Sequence, residues 1–301
     1  MIITDQLLIR GFTSGEVPDD AGGVVIFENN TPWLPGDFTD LLVTVDQEGG
    51  RINRIREGVT ILPPAAEIRT TKEAYKRGQI MAGELLPLGI NLNLAPVVDV
   101  SNGSGKNVIG NRSFGSDPRR TARLSAAMIR GMQDNGLAAC AKHFPGHGAT
   151  GKNSHQCLPR VRLSLSQWRK NHMPPFKKAI ESGVSCIMVG HIMYPVMDKM
   201  FPASLSGKII TGILRKKMGF AGVIITDDLG MGAITKHYQP GEAAVMAIEA
   251  GADMVMECHS KSRQEMIRKA LSRALGEGRI TKQRIMESLA RIKKLKNFDG
   301  V

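Results

Sequence analysis

The segment AKHFPGHGATGKNSHQC, residues 141–157, carries His143, His147 and His155 among three glycines on a run headed by Lys142. It is too rich in glycine for a helix and too interrupted for one strand. Further along, the apolar run GVIIT ends in Asp227 and Asp228. A carboxylate at the end of a buried strand can attack an acetal carbon and be displaced in turn, provided a second group protonates the departing oxygen and then activates water. That second group is usually another carboxyl. Here the loop offers His155, and histidine, with an unperturbed pKa of about 6.5, gives and takes a proton near neutral pH. Asp227 is therefore the candidate nucleophile. Strand alternation turns its neighbour Asp228 to the opposite face and gives it a structural role.

Such groups need a rigid frame. Eight apolar runs of strand length stand at 7–12, 23–28, 41–47, 90–100, 137–144, 185–191, 222–228 and 252–258, with helix-period segments between several of them. Ala74, Met81, Ala82, Leu85 and Leu86 form one helical stripe, and a second helix opens on Asp117 as N-cap with Pro118 in its first turn and stops near Gly136. Strands alternating with helices predict a parallel sheet, and eight of them predict an α/β fold of the (β/α)8 TIM-barrel type, residues 1–301 forming a single catalytic domain. An open doubly wound sheet is the alternative, because periodicity does not reveal closure. The first two crossovers, 13–22 and 29–40, hold prolines, glycines and acids where amphipathic helices should be. Either a second copy of the chain covers this thin part of the wall, making a homo-oligomer, or apolar surface stays exposed there.

In a parallel barrel reactive residues gather at the C-terminal strand ends. One mouth then collects Asp46, Arg51, Arg54, Arg112, Lys142, His143, His155, His191 and Asp227. Carboxylates and guanidinium forks bind hydroxyl groups in defined directions, so a polyol pocket accounts for all of them. Gly146, Gly148 and Gly151 give the histidine-rich loop the pliability of a lid that carries its own proton donor, with His147 a structural residue of that lid.

Composition narrows the partners. A net charge of +12 raises nucleic acid, but the cations are spread along exposed helical patterns such as SRQEMIRKALSRALGEGRITKQRIMESLARIKKLK with little aromatic interleaving, so no nucleic-acid partner is expected. No window reaches membrane-spanning length and the start lacks a signal-peptide pattern, so the cytoplasm is the expected compartment and no membrane is involved. Cys140, Cys157, Cys186 and Cys258 lack CxxC spacing and read as core thiols. The carboxylate ligands of a catalytic zinc or iron site are not adjacent to His143, His147 and His155, and the chemistry requires no metal and no cofactor.

Taken together, VDQEGGRINRI, NLNLAPVVDV, GNRSFGSDP, KHFPGHG, NSH, GHIMYP, FPASLS and GVIITDDLGMGAI, in that order, resemble the cytoplasmic β-N-acetylhexosaminidases of glycoside hydrolase family 3, the NagZ type of peptidoglycan recycling. The resemblance implies Asp227 as nucleophile and His155 as acid/base on a mobile loop. It also implies that Asp46, Arg54, Arg112, Lys142 and His143 bind a terminal N-acetylglucosamine, with cell-wall fragments as the substrate class. One position departs from the pattern: Asn153 stands where the family has an Asp before Ser-His, and an amide cannot carry the negative charge that stabilises imidazolium, although it can accept a hydrogen bond from the ring. A weakened general acid is the expectation. A sugar-binding pseudoenzyme and a β-N-acetylglucosaminide phosphorylase are the alternatives.

Overall fold

The eight apolar runs close, in a computed structural model that describes residues 3–12, 18, 20–28, 40–101 and 108–300, into a parallel barrel. Its strands are β1 (Leu8–Gly11), β2 (Gly23–Ile26), β3 (Leu42–Val45), β6 (Leu92–Asn93), β7 (Ala138–Phe144), β8 (Cys186–Val189), β9 (Val223–Asp228) and β10 (Met254–Glu257). A short hairpin, β4 (Gln47–Gly49) with β5 (Ile52–Asn53), rises from the end of β3. Each strand is nearly all buried, as strands covered on both faces must be. Closure is direct, β1 pairing with both β2 and β10, which settles the barrel over the open sheet.

The helices are those the caps predict. Helix α1 (Thr71–Leu85) starts on Thr70, whose side chain accepts from Glu73 N, and buries Ala74, Met81, Ala82 and Leu85. Asp117 caps α2 (Pro118–Gln133) by accepting from Arg119 N, with Pro118 at the first position. These two helices touch backbone to backbone: a Cβ at Gly131 would stand 2.0 Å from the Tyr75 carbonyl oxygen. Next come α3 (Leu165–Asn171), α4 (Met173–Glu181), a wide helix over Lys208–Lys217 wound in i to i+5 turns, α5 (Gly232–Thr235), α6 (Pro240–Ala250), α7 (Lys261–Gly276) and α8 (Lys282–Lys296). Among the described residues no helix is long and apolar enough to cross a membrane. The thin crossovers at 13–22 and 29–40 fall largely outside the described residues.

At the N-terminal face of the barrel, the fully buried Asp253 ties the outer layer to the sheet. Its carboxylate accepts from Arg215 at 2.7 Å, Ile224 N at 2.9 Å, Ser288 at 2.9 Å and Arg291 at 3.0 Å. A buried charge is tolerated only when so compensated.

Candidate active site

The parallel strands all point their C-terminal ends at one mouth, and a cavity of about 150 Å³ opens there. Its lining includes Asp46, Arg54, Arg112, Lys142, His143, His155 and Asp227, seven of the predicted site residues. Asn153 is not among the lining residues. Arg51 and His191 do not face the cavity: Arg51 is exposed and donates to the Val108 carbonyl, whereas His191 is buried behind the β9 end.

The cavity floor is an ion network. Lys142, on β7, donates to Asp46 at 2.5 Å and lies 2.7 Å from Glu48; Arg112 grips both oxygens of Glu48 at 2.8 Å each. Burial alone would raise the Glu48 carboxyl pKa and lower that of the Lys142 ammonium. The adjacent opposite charges reverse both: Arg112 and Lys142 hold Glu48 far below the carboxylate range, and Asp46 and Glu48 push Lys142 up. Glu48, Lys142 and Arg112 thereby present fixed charges at the cavity floor. Glu48 escaped the sequence reading, although it lies two residues beyond Asp46, the spacing of one strand face. Arg54 lies 3.9 Å from Asp46 and over the Phe27 ring, 5.3 Å from its centroid, while the His259 ring lies tilted against Phe27 with centroids 5.2 Å apart. Phe27 and His259, both cavity residues, also went unpredicted.

A second unpredicted carboxylate orders the histidines. Asp99 is fully buried and accepts from His143 N at 3.2 Å, His143 Nδ1 at 2.8 Å and His147 N at 2.5 Å. Because a carboxylate only accepts, Nδ1 of His143 carries the proton in that bond. The same logic fixes His191: Nε2 donates to the Asp228 carbonyl at 2.9 Å, and Nδ1 faces Ser204 Oγ at 2.7 Å. Burial holds the His191 ring below the usual histidine range despite the pull of Asp227.

Asp227 sits where β9 meets the cavity. Its Oδ1 accepts from Asp228 N at 2.9 Å. Burial would raise its pKa, but the neighbouring rings of His143 and His191, with lesser help from the Asp228 N–H and His155, keep it below the ordinary carboxyl value. It is an anion at neutral pH. Asp228 does not turn to the opposite face as alternation predicts. The pairing of β9 with β10 shifts register between Met254 and Met256, and this irregularity breaks the alternation and brings Asp228 to the cavity wall too. There its Oδ1 accepts from Gly230 N at 2.9 Å and Cys258 N at 3.1 Å, and its Oδ2 lies 3.7 Å from His259 Nε2. Burial, compounded by the charge of Glu257, pushes its carboxyl up to about 7.

His155 is exposed on the loop at the cavity rim. The Asn153 amide oxygen does not reach its ring; it accepts from the His155 backbone N–H at 2.9 Å. The loop is docked on α5: Ala233 N donates to the Ser154 carbonyl at 3.0 Å, Gly232 N to that of His155 at 3.1 Å, and Lys236 to that of Gln156 at 2.6 Å. Its glycines serve closeness more than pliability. A Cβ at Gly148 would meet the Val100 carbonyl oxygen at 2.0 Å and one at Gly146 would meet the His172 ring at 3.3 Å; only Gly151 has open space.

A parallel barrel with a polar cavity at its strand ends, walled by locked ion pairs and holding a buried anionic carboxylate, is the arrangement of barrel enzymes that act on small hydroxylated substrates. The chain belongs to glycosyl hydrolase family 3, whose N terminal domain it matches over residues 35–295. It is 36% identical over 258 residues to a β-hexosaminidase of Alkalilimnicola ehrlichii, covering 79% of this chain and 74% of that one. With a β-hexosaminidase of Tolumonas auensis it shares 41% identity over 229 residues, 74% and 67% of the two chains. Its fold superposes on a family 3 β-N-acetylglucosaminidase from a Paenibacillus species with a TM-score of 0.92 at 37% identity. That match covers 99% of this chain and 62% of the other, so the chain spans less than two thirds of that structure's length. A β-N-acetylhexosaminidase from Beutenbergia cavernae superposes with a TM-score of 0.88 at 26% identity, over 98% and 97% of the chains.

Proposed function

We propose that this glycoside hydrolase is a retaining exo-β-N-acetylglucosaminidase acting on peptidoglycan fragments, residues 1–301 working as one catalytic domain. The observation that carries the reading is Asp227, a buried anion at the end of β9, sharing one small cavity with His155 on the docked loop. An oxygen of Asp227 attacks the anomeric carbon as the bond to the leaving oxygen breaks, and protonated His155 supplies the proton that oxygen needs. In the second half, neutral His155 takes a proton from water, the water oxygen bonds to the anomeric carbon, and the Asp227 carboxylate departs. Asp46, Arg54, Arg112, Lys142 and His143 hold the terminal N-acetylglucosamine by its hydroxyls. A reducing cytoplasm suits the four thiols, all unpaired although Cys140 and Cys186 face one another on β7 and β8.

The test is to trap a covalent adduct with a slow 5-fluoro N-acetylglucosaminide and digest the protein. The label belongs on the peptide bearing Asp227, and Asp227→Ala should abolish turnover of aryl β-N-acetylglucosaminides while leaving the unfolding midpoint within a few degrees. A label on another carboxylate, or turnover surviving in Asp227→Ala, overturns the assignment. Running the assay with and without phosphate, with the products resolved, separates hydrolysis from phosphorolysis.

A further inference from the structure

The Asn153 side chain is spent on the backbone of His155, so it does not orient the imidazole. Another side-chain tie runs from the rigid end of β7 into the same loop. His147 is buried, its ring 5.9 Å from that of His143, and its Nε2 lies 2.9 Å from Oγ of Ser154, itself buried. The His147 backbone N–H is bonded to Asp99, the carboxylate that also fixes His143. A continuous chain of contacts thus links Asp99, His147 and Ser154, and the next residue is His155. We propose that the His147–Ser154 hydrogen bond is the latch that sets the His155 imidazole against the glycosidic oxygen, which makes His147 and Ser154 positioning residues for proton transfer.

Three further facts support this assignment. Burial, reinforced by the neighbouring His143, keeps the His147 ring below the usual histidine range and therefore neutral at physiological pH, with one nitrogen able to accept from the Ser154 hydroxyl. Its Nδ1 has no hydrogen-bond partner among the described residues, so the bond to Ser154 carries the ring's whole polar compensation. The ties to α5 run from donors on and just after that helix to the loop's own backbone carbonyls and fix the path of the chain. Ser154 ties its side chain to His147, three residues beyond the end of the strand that presents Lys142 and His143 to the cavity.

The proposal rests on the reading of His155 as the acid/base, and leaving-group chemistry separates the two. A proton donor matters for poor leaving groups and hardly at all for good ones. The substrates are aryl β-N-acetylglucosaminides running from 2,4-dinitrophenyl through 4-nitrophenyl to 4-methylphenyl, and kcat and KM are measured for each. Ser154→Ala and His147→Gln should each lower kcat/KM, which reads the glycosylation half alone, on the 4-methylphenyl substrate by about 10- to 100-fold, within the range of proton-transfer assistance. On the dinitrophenyl substrate the loss in kcat/KM should stay under about 3-fold. The double variant should be no worse than either single one, as for two residues acting through one bond. Ser154→Thr, which keeps the hydroxyl, should recover most of the loss.

Equal losses across all leaving groups, a fully additive double variant, or no recovery in Ser154→Thr overturns the latch. His155→Ala is the control. If it fails to steepen the leaving-group dependence, the acid/base reading itself falls and takes the latch with it. If it does steepen it and the Ser154 and His147 variants do not, the latch alone falls. Should His147→Gln not fold, the Ser154→Ala and Ser154→Thr pair decides the question by itself.

Discussion

Asp228 offers a quantitative test of the electrostatics at the end of β9. Its carboxyl is displaced from an ordinary 3.8 up to about 7, first by burial and then by the charge of Glu257. Glu257 is itself buried and paired with Arg263, whose guanidinium contacts both its oxygens. A group whose pKa is raised on folding binds its proton more tightly in the native state between the two values. The stability it contributes is therefore complete below 3.8 and is lost as pH climbs through 7. At about 1.4 kcal/mol per pH step, ionised Asp228 costs the fold about 4 kcal/mol at pH 8. Asp228→Asn keeps an oxygen to accept from Gly230 N and Cys258 N and removes the titration. Urea unfolding of both proteins at several pH values between 4 and 8, compared as the difference between them, cancels the other ionisations. The variant should gain on the wild type steadily, by about 4 kcal/mol in all across that range. A pH-independent difference, or a variant that loses ground as pH rises, would refute the argument that burial and Glu257 together strain this carboxyl.

Other perturbations probe the remaining parts. Glu48→Ala leaves Lys142 and Arg112 facing each other with one anion fewer, and should lower stability by about 3–5 kcal/mol in equilibrium unfolding, as for a broken buried ion pair. Gly148→Ala drives a Cβ into the Val100 carbonyl; it should displace the loop and raise KM or lower kcat more than the same change at Gly151, where space is open. His147, His172 and His191 are all held below the usual histidine range, chiefly by burial. The unfolded chain then takes up more protons than the native one as pH falls below about 6.5, so stability should drop on acidification. Thermal melts at pH 7 and 5 in the Asp228→Asn background, where the opposing carboxyl is gone, report this directly. Finally, Asn153→Asp adds an anion beside His155 and should raise kcat on poor leaving groups by several-fold; an unchanged or lower rate would show that the amide is no handicap.

The barrel was legible because its signals are periodic. Eight apolar runs and two well-capped helices carry the order of the fold, whereas closure, which an open sheet covered on both faces would not need, rests on the long-range pairing of β1 with β10. The cavity residues were legible where a charged side chain ends or directly follows an apolar strand, as with Lys142 and His143 near the end of β7, Asp227 near the end of β9 and Asp46 just after β3. What escaped depends on contacts between distant segments. Asp99 gains its role only by meeting His143 and His147, and Glu48 only by meeting Arg112. Asp228 reaches the cavity through a register shift that no alternation rule contains. His191, placed in the mouth by the strand-end rule, instead spends both ring nitrogens behind β9. The loop glycines looked like hinges because a sequence displays freedom and conceals what stands next to it.

Asp253 has a consequence for the order of events as the chain leaves the ribosome. Its partners Ser288 and Arg291 belong to α8 and emerge after every barrel strand has been made. A nascent chain that closed its sheet before then would hold an undercompensated carboxylate at the floor, a state costing several kcal/mol. Vectorial synthesis at about 5–20 residues per second keeps those partners waiting for seconds. Helix α8 thus supplies the closing compensation: until it has been made, the carboxylate lacks two of the side chains that hold it, and the barrel strands cannot lock around it.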